Sequence, residues 1–170
     1  MANFIGPSSW ELSGAIGQVV STSTTNSAAM SNAASSWVDL SGLSVAITPS
    51  SSSSKVLITA SVCAGQGPSN PYAIWFRLVR SGTVIGVGSS SGNRSRCSFA
   101  LVPIATYMDD DMGTAGCTFQ DTPSTTSSLT YKVQGTSRST GNWAYNMSDD
   151  QQNNPAFGQG ISTITAMEIM

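Results

Sequence analysis

Short runs of apolar and β-branched residues alternate with clusters of Gly, Ser, Asn and Pro along most of the chain. Several runs alternate apolar and polar side chains with a period of two, which predicts strands that are buried on one face. No stretch keeps an apolar stripe at the helical period for more than about three turns. The pattern therefore predicts an all-β domain of roughly eight to ten short strands, as in a sandwich or a jelly roll.

Two short motifs mark places where the predicted strands bend or turn. Gly42 interrupts an otherwise alternating run and predicts a bulge, and Ser81-Gly82 predicts the tight turn of a hairpin. Residues 27–35 are rich in Ala and Ser and are predicted to be a loop with at most one helical turn, and the long polar stretch 135–158 is predicted to contain a loop at residues 143–157. The predicted strands are residues 18–20, 37–47, 55–64, 72–80, 83–87, 96–106, 115–120, 127–134 and 160–170.

The pattern divides the chain into an N-terminal arm, residues 1–25, and a sandwich domain, residues 26–170. Phe4, Ile5 and Trp10 give this attachment arm apolar side chains, which are expected to dock on the domain itself or on a neighbouring subunit. The start of the chain has neither the basic segment nor the apolar core of a signal peptide. No apolar run approaches the ~20 residues of a membrane span, so we expect synthesis in a cytosol and no membrane insertion.

Charge is scarce in this sequence. Charged residues make up 9% of the 170 residues, whereas a typical domain has about 25%, so the surface must consist mostly of Ser, Thr, Asn, Gln and Gly. The 7 basic and 9 acidic residues are scattered and give a net charge of −2. The absence of a basic run argues against a nucleic-acid partner. A surface with such weak charge repulsion suits a protein that works inside a larger assembly.

The residue types that most enzymes need are missing or badly placed. The chain has no His, which removes the commonest general base and the commonest metal ligand. Cys63, Cys97 and Cys117 form no CxxC pair and fall in predicted strands, so we expect small buried side chains rather than zinc ligands or disulfides. The few carboxylates lie mostly in turns, whereas a glycosidase needs two across the scissile bond. We therefore predict no catalysis, no cofactor and no metal.

Binding residues are predicted on three polar segments, because loops on a rigid β scaffold commonly carry recognition. Trp143, Tyr145 and Asn146 lie in an aromatic-rich polar segment that suits sugar hydroxyls or a protein rim. The alternative for Trp143 and Tyr145 is that they lie on a strand and fill the core. Arg94 follows the polar loop predicted at residues 88–93. Asp110 is the centre of a run of three aspartates that is predicted to be a solvated acidic turn rather than a calcium site.

Four segments occur in a familiar order. Residues 36–40 (SWVDL) precede residues 43–49 and a serine run, residues 76–83 read FRLVRSGT, residues 121–134 join DTP to LTYKVQ, and residues 164–169 read ITAMEI. In this order they resemble small domains of bacteriophage tail fibres, receptor-binding proteins and capsid appendages. The resemblance extends from Trp37 to the end of the chain. It implies an antiparallel jelly-roll sandwich of the tumour-necrosis-factor or C1q type, assembled as a homotrimer.

The resemblance also implies a place on the surface of a phage particle. The first expectation is a short tail fibre or receptor-binding tip for host attachment, since the chain has no shaft repeat, heptads or collagen-like tract. The alternatives are a decoration or cement protein of the capsid, and a lectin-like or polysaccharide-degrading domain. The implied partners are further copies of the chain, other virion proteins and a receptor or glycan of the host.

Overall fold

The computed structural model describes residues 15–32, 36–66, 73–102, 112–138, 140–148, 155 and 158–170. Within these residues every regular element is a strand, which confirms the all-β prediction. None of the described segments is a helix of the length and apolarity that a membrane crossing requires. The strands are β1 (Ile16–Thr24), β2 (Ala28–Asn32), β3 (Val38–Ile47), β4 (Lys55–Gln66), β5 (Ile74–Arg80), β6 (Thr83–Ile85), β7 (Phe99–Leu101), β8 (Met112–Asp121), β9 (Leu129–Ser137), β10 (Gly141–Tyr145) and β11 (Ser162–Ile169).

Sheet A contains six strands but is four strands wide, because β1 and β2 lie end to end and so do β11 and β10. One edge of β4 pairs with β8 along nearly its whole length, and its other edge pairs first with β11 and then with β10. β1 pairs with β11, and β2 pairs with β10. β1 and β2 therefore follow one another along the free edge, as β11 and β10 do beside β4. All these pairings are antiparallel.

Sheet B contains five strands, in the order β3, β9, β5, with β6 and β7 sharing the far edge of β5. The predicted bulge at Gly42 is confirmed, because the register between β3 and β9 shifts between Asp39 and Ser44 and Gly42 has a φ of 77°. The predicted Ser81-Gly82 turn is also confirmed. Ser81 has a φ of 43° and Gly82 a φ of 89°, the left-handed conformations that such a tight turn uses.

The two sheets enclose one apolar core between their inner faces. Alternate residues of β4, β5, β9 and β11 point into this core, as a half-buried strand requires. Phe76 stacks on Phe99 with ring centroids 5.0 Å apart and meets Trp143 edge-on at 6.1 Å. Gly135 faces the indole of Trp143 so closely that a Cβ there would lie 2.6 Å from it, so the core requires glycine at this position.

Three sequence predictions of local structure are wrong. Residues 28–32 form β2 rather than a loop, and β10 overlaps the polar segment predicted to be a loop, because these two strands pair with each other. Residues 16–24 form an edge strand of sheet A, which contains and extends the strand predicted at residues 18–20. Cys97 precedes β7 instead of lying on a strand, while Cys63 and Cys117 lie on β4 and β8.

The strand directions give the sandwich two distinct ends. At one end, which we call distal, four strands end and four strands begin. The strands that end there are β2, β4, β7 and β9, and those that begin there are β3, β5, β8 and β10. The opposite end, called the base, holds the start of β1 and the end of β11, where Met170 N donates to Ala15 O at 2.9 Å. The described part of the chain thus begins at the base, and four of the strand connections join strand ends at the distal end.

Candidate functional site

The outer face of sheet B carries a cluster of aromatic and hydrogen-bonded polar side chains near the distal end. We call it the sheet B surface, and it consists of Trp37, Asp39, Trp75, Arg77, Lys132 and Gln134. Strand pairing places Asp39, Gln134 and Arg77 side by side across β3, β9 and β5. Trp75 lies two residues before Arg77 on β5 and therefore on the same face.

A continuous chain of hydrogen bonds holds the polar members of this surface. Arg77 Nε donates to Gln134 Oε1 at 2.8 Å, and Gln134 Nε2 donates to Asp39 Oδ1 at 2.7 Å. Lys132 Nζ donates to the other oxygen, Asp39 Oδ2, at 2.6 Å. These bonds from Lys132 and Gln134 lower the pKa of Asp39 below its usual value. The carboxylate therefore stays ionised and oriented.

Trp37 covers the guanidinium of Arg77. The Cζ atom of Arg77 lies 4.3 Å from the centroid of the Trp37 ring, a cation–π distance. Removal of this guanidinium from water lowers the pKa of Arg77. Trp37 and Trp75 are both half-buried, so each ring keeps an accessible part. Flat rings beside amide and carboxylate groups of fixed orientation have the chemistry that contacts the apolar faces and hydroxyls of a sugar.

Sequence reasoning missed this surface as a binding site, although one signal for it was present. The alternation along residues 72–80 already puts Trp75 and Arg77 on one face, and an aromatic beside a charge is unusual for a core-facing row. Trp37 lies ninety-five residues before Lys132 in the chain, so only the pairing of β3 with β9 reveals that they are neighbours.

Arg94 lies on an exposed loop, as the sequence predicts for a recognition residue. Residues 86–98 leave the edge of sheet B between β6 and β7, and Gly88 N closes the loop by donating to Cys97 O at 3.3 Å. Arg94 N donates to Ser91 O at 3.2 Å, which places the exposed Arg94 side chain on a turn. Arg96 Nε donates to Gly88 O at 2.6 Å and braces the loop. A binding role for Arg94 stays a prediction.

Trp143 and Tyr145 do not lie on an exposed loop. They belong to β10, they are 0% and 1% exposed, and their rings are part of the core between the sheets. The alternative that they lie on a strand and fill the core is therefore the one that the structure shows. Direct contact of either ring with a ligand is incompatible with these positions.

Asn146 is buried as well, and its side chain bridges a gap in sheet A. Its Nδ2 donates to Thr24 O at 2.9 Å and to Asn26 O at 3.0 Å, and its Oδ1 accepts from Ser162 Oγ at 2.6 Å. It thus joins the break between β1 and β2 to the break between β10 and β11. Asn146 has a φ of 56°, a conformation that Asn adopts more readily than most residues. Its role is structural, and its amide is not available for binding.

The other predicted site residues, Asp110 on the connection between β7 and β8 and the arm residues Phe4, Ile5 and Trp10, lie outside the described residues.

The buried carboxylates of the described residues have structural partners. Arg80 Nη1 donates to both oxygens of Asp121 at 2.9 and 2.8 Å, and Tyr131 Oη donates to Asp121 Oδ2 at 2.7 Å. Glu168 accepts at 2.6 Å from both the backbone N and the Oγ of Ser50, and at 2.9 Å from Gln18 Nε2. Within the described part of the chain, no group of three His, Cys, Asp or Glu residues is close enough to hold a metal ion.

Comparison with models of known protein families finds no match to this chain, and comparison with curated proteins finds none either.

Proposed function

We propose that this chain is a non-enzymatic adhesion module of a bacteriophage virion, a short tail fibre or receptor-binding tip that binds a host-surface glycan. The observation that carries the proposal is the sheet B surface, which sets two half-buried tryptophans beside oriented amide, carboxylate and guanidinium groups. The phage assignment is supported by the resemblance of the four sequence segments to virion appendage domains.

The strand arrangement supports a jelly roll as the finer description of the sandwich. When β1 with β2, β6 with β7, and β10 with β11 are each counted as one interrupted strand, eight strands remain in two antiparallel sheets of four. Eight strands in two sheets are the composition of a jelly roll. The homotrimer that the resemblance implies belongs to the same proposal.

The polarity of the sandwich also suits adhesion. Ala15, where the described part of the chain begins, lies at the base, and in this proposal the predicted arm attaches there to other virion proteins. The sheet B surface and four strand connections lie toward the opposite end, where they face away from that attachment. A capsid decoration role and a lectin-like or polysaccharide-degrading role stay alternative predictions.

A glycan array of purified bacterial lipopolysaccharides and capsular polysaccharides tests the binding function. We expect the wild-type protein to bind a subset without cleaving it. The double variant Trp37→Ala, Trp75→Ala should lose at least about tenfold in affinity, because truncation of aromatic anchors removes much of a binding energy. Ser44→Ala with Thr130→Ala, toward the base on the same outer face, is the matched control and should bind as wild type.

Two results would contradict the proposal. Unchanged glycan binding by the tryptophan double variant, with a native circular dichroism spectrum, would remove the sheet B surface from the binding function. Antibody labelling of intact virions by electron microscopy tests the location: label at the tail supports the attachment role, whereas label spread over the head favours capsid decoration.

A further inference from the structure

The outer face of sheet A differs in composition from an ordinary solvent-exposed sheet face. Strand pairing arranges its side chains in rows that cross β1, β11, β4 and β8. The row nearest the base is Ile16, Ile169 and Lys55; the next is Val19, Met167, Leu57 and Gln120; then come Ser21, Thr165, Thr59 and Thr118, and finally Ser23, Thr163, Ser61 and Gly116.

This face is nearly free of charge. Among the described outward side chains of the four strands, Lys55 at the margin is the one that carries a charge. The two acidic residues of these strands, Glu168 and Asp121, are buried on the inner side. The two rows nearest the base are mostly apolar, and a contiguous exposed apolar patch commonly marks an interaction site.

The face has an apolar half toward the base and a hydroxyl half above it. Ile16 and Val19 are 57% and 52% exposed, which is high for large apolar residues. In the hydroxyl half, Ser21 Oγ lies 2.8 Å from Thr165 Oγ1, and Thr59 Oγ1 lies 3.4 Å from Thr118 Oγ1. Each hydroxyl has one donor and two acceptor positions, so these pairs retain capacity for further hydrogen bonds.

We propose that this face, the sheet A interface, packs against the same face of further copies of this chain. The inference rests on the proposed function in that it names the surface through which the implied oligomer forms. A hydroxyl surface is complementary to itself, since every group both donates and accepts, and an apolar surface is also complementary to itself. A partner of different chemistry would have to match both halves in the same order, which a second copy does automatically.

The dimensions of the face fit such an interface. Four strands with a spacing of about 4.8 Å and a length of seven residues at about 3.3 Å each cover roughly 400 Å² in projection. Side chains that stand up from the sheet, together with the exposed edge of β1, raise the accessible area toward the ~600 Å² per partner at which specific interfaces begin.

The order of the two halves also fixes the symmetry axis. A rotation axis parallel to the strands brings apolar rows against apolar rows and hydroxyl rows against hydroxyl rows at the same height. An axis perpendicular to the strands would place the apolar half of one copy against the hydroxyl half of the other. With the parallel axis, all distal ends lie at the same end of the assembly, and all sheet B surfaces lie on its outside.

The mass of the full chain in solution, measured by light scattering after size exclusion, tests the interface. We expect wild-type protein to run as a closed oligomer of the 17.6 kDa chain. Thr165→Arg places a charge at the centre of the face and should yield monomers. Thr130→Arg, the same change on an exposed strand position of sheet B, is the matched control and should stay oligomeric. Val19→Asp, at an exposed edge position where folding tolerates a charge, should also yield monomers.

A wild-type protein that stays monomeric at submillimolar concentration would overturn the inference. So would Thr165→Arg and Val19→Asp proteins that keep the native spectrum and the wild-type mass. Either result leaves the proposed glycan binding intact if the wild-type protein still binds the glycan array. An oligomer that dissociates as expected but binds no glycan would instead contradict the proposed function and leave the interface standing.

Discussion

The two sheets cover the same core but treat their polar groups in opposite ways. Sheet B displays three ions on its outside, where Gln134 and Lys132 link Asp39 and Arg77 into a chain of hydrogen bonds, while Arg80 pairs with the buried Asp121 of sheet A. Sheet A buries Glu168 and Asn146, and its outer face carries hydroxyl and apolar side chains with Lys55 as the charge at its margin. The difference supports the proposal that the two outer faces meet different environments.

The burial of a polar group determines how much it contributes to the stability of the fold. The pair of Lys132 and Asp39 is exposed, at 31% and 55% of the side-chain surface, so it contributes at most about 1 kcal/mol to stability. A buried polar group is different, because removal of its partner leaves donors or acceptors without water. Sheet A therefore depends on a few buried side chains, whereas sheet B tolerates change on its outer face.

The largest effect is expected at Asn146. Asn146→Ala leaves Thr24 O and Asn26 O without their donor and should lower the free energy of unfolding by about 3 kcal/mol. Urea unfolding followed by circular dichroism measures this change. The control is Ser98→Ala at the break between β6 and β7 of sheet B, where Ser98 Oγ accepts from Leu78 N at 3.0 Å. Its cost should be about 1 kcal/mol; equal losses for the two variants would abolish the contrast between the sheets.

Glu168 gives sheet A a distinctive response to acid. Hydrogen bonds from Ser50 and Gln18 lower the pKa of Glu168 from its usual 4.5 to about 2. The stabilisation by its carboxylate is therefore complete above pH 4.5 and is lost as the pH falls toward 2.

Glu168→Gln should remove this part of the pH dependence. In the variant an amide NH₂ group replaces one carboxylate oxygen and faces the hydrogen-bond donors of Ser50 or Gln18, so at least one hydrogen bond is lost. Its free energy of unfolding at neutral pH should therefore fall by about 2 kcal/mol. Between pH 4.5 and 2 its stability should decline less steeply than that of wild type. Thermal unfolding across this pH range provides the measurement, and parallel curves for the two proteins would rule out the role of the carboxylate.

The smallest effect on stability is expected on sheet B. Asp39→Asn weakens the bond with Lys132 and should change the free energy of unfolding by less than about 0.5 kcal/mol, with a smaller difference at high salt. Unfolding in urea at low and high salt measures it. A loss of several kcal/mol would mean that the ions of sheet B support the fold as strongly as the buried groups of sheet A do.

Much of the fold follows from local sequence. The alternating runs predict β3, β4, β5, β8, β9 and β11, and the bulge at Gly42 and the turn at Ser81-Gly82 follow from the conformations that glycine allows. β2 and β10 could not be found in this way, because both are short and rich in small or polar residues. They are strands because each pairs with the other, with β10 also bonded to β4.

The candidate site could be predicted less well. Arg94 lies on an exposed turn because Gly and Ser around it disfavour strands, a local property that sequence shows. The sequence neighbours of Trp143 and Asn146 are mostly polar, but both side chains are buried because β10 pairs with β4 within sheet A. The neighbours of Trp37 and Arg77 come from separate strands, and no sequence period brings them together.

Hydroxyl-radical footprinting of the wild-type protein, read by mass spectrometry over a range of protein concentrations, tests the contrast between the two outer faces most directly. We predict that Met167, on the outer face of sheet A, is oxidised in dilute solution and becomes protected as the concentration rises. Trp37 and Trp75 on sheet B should be oxidised at the same rate throughout. A Met167 side chain that stays equally reactive at every concentration, or tryptophans that become protected in its place, would contradict the assignment of sheet A to assembly and sheet B to the outside.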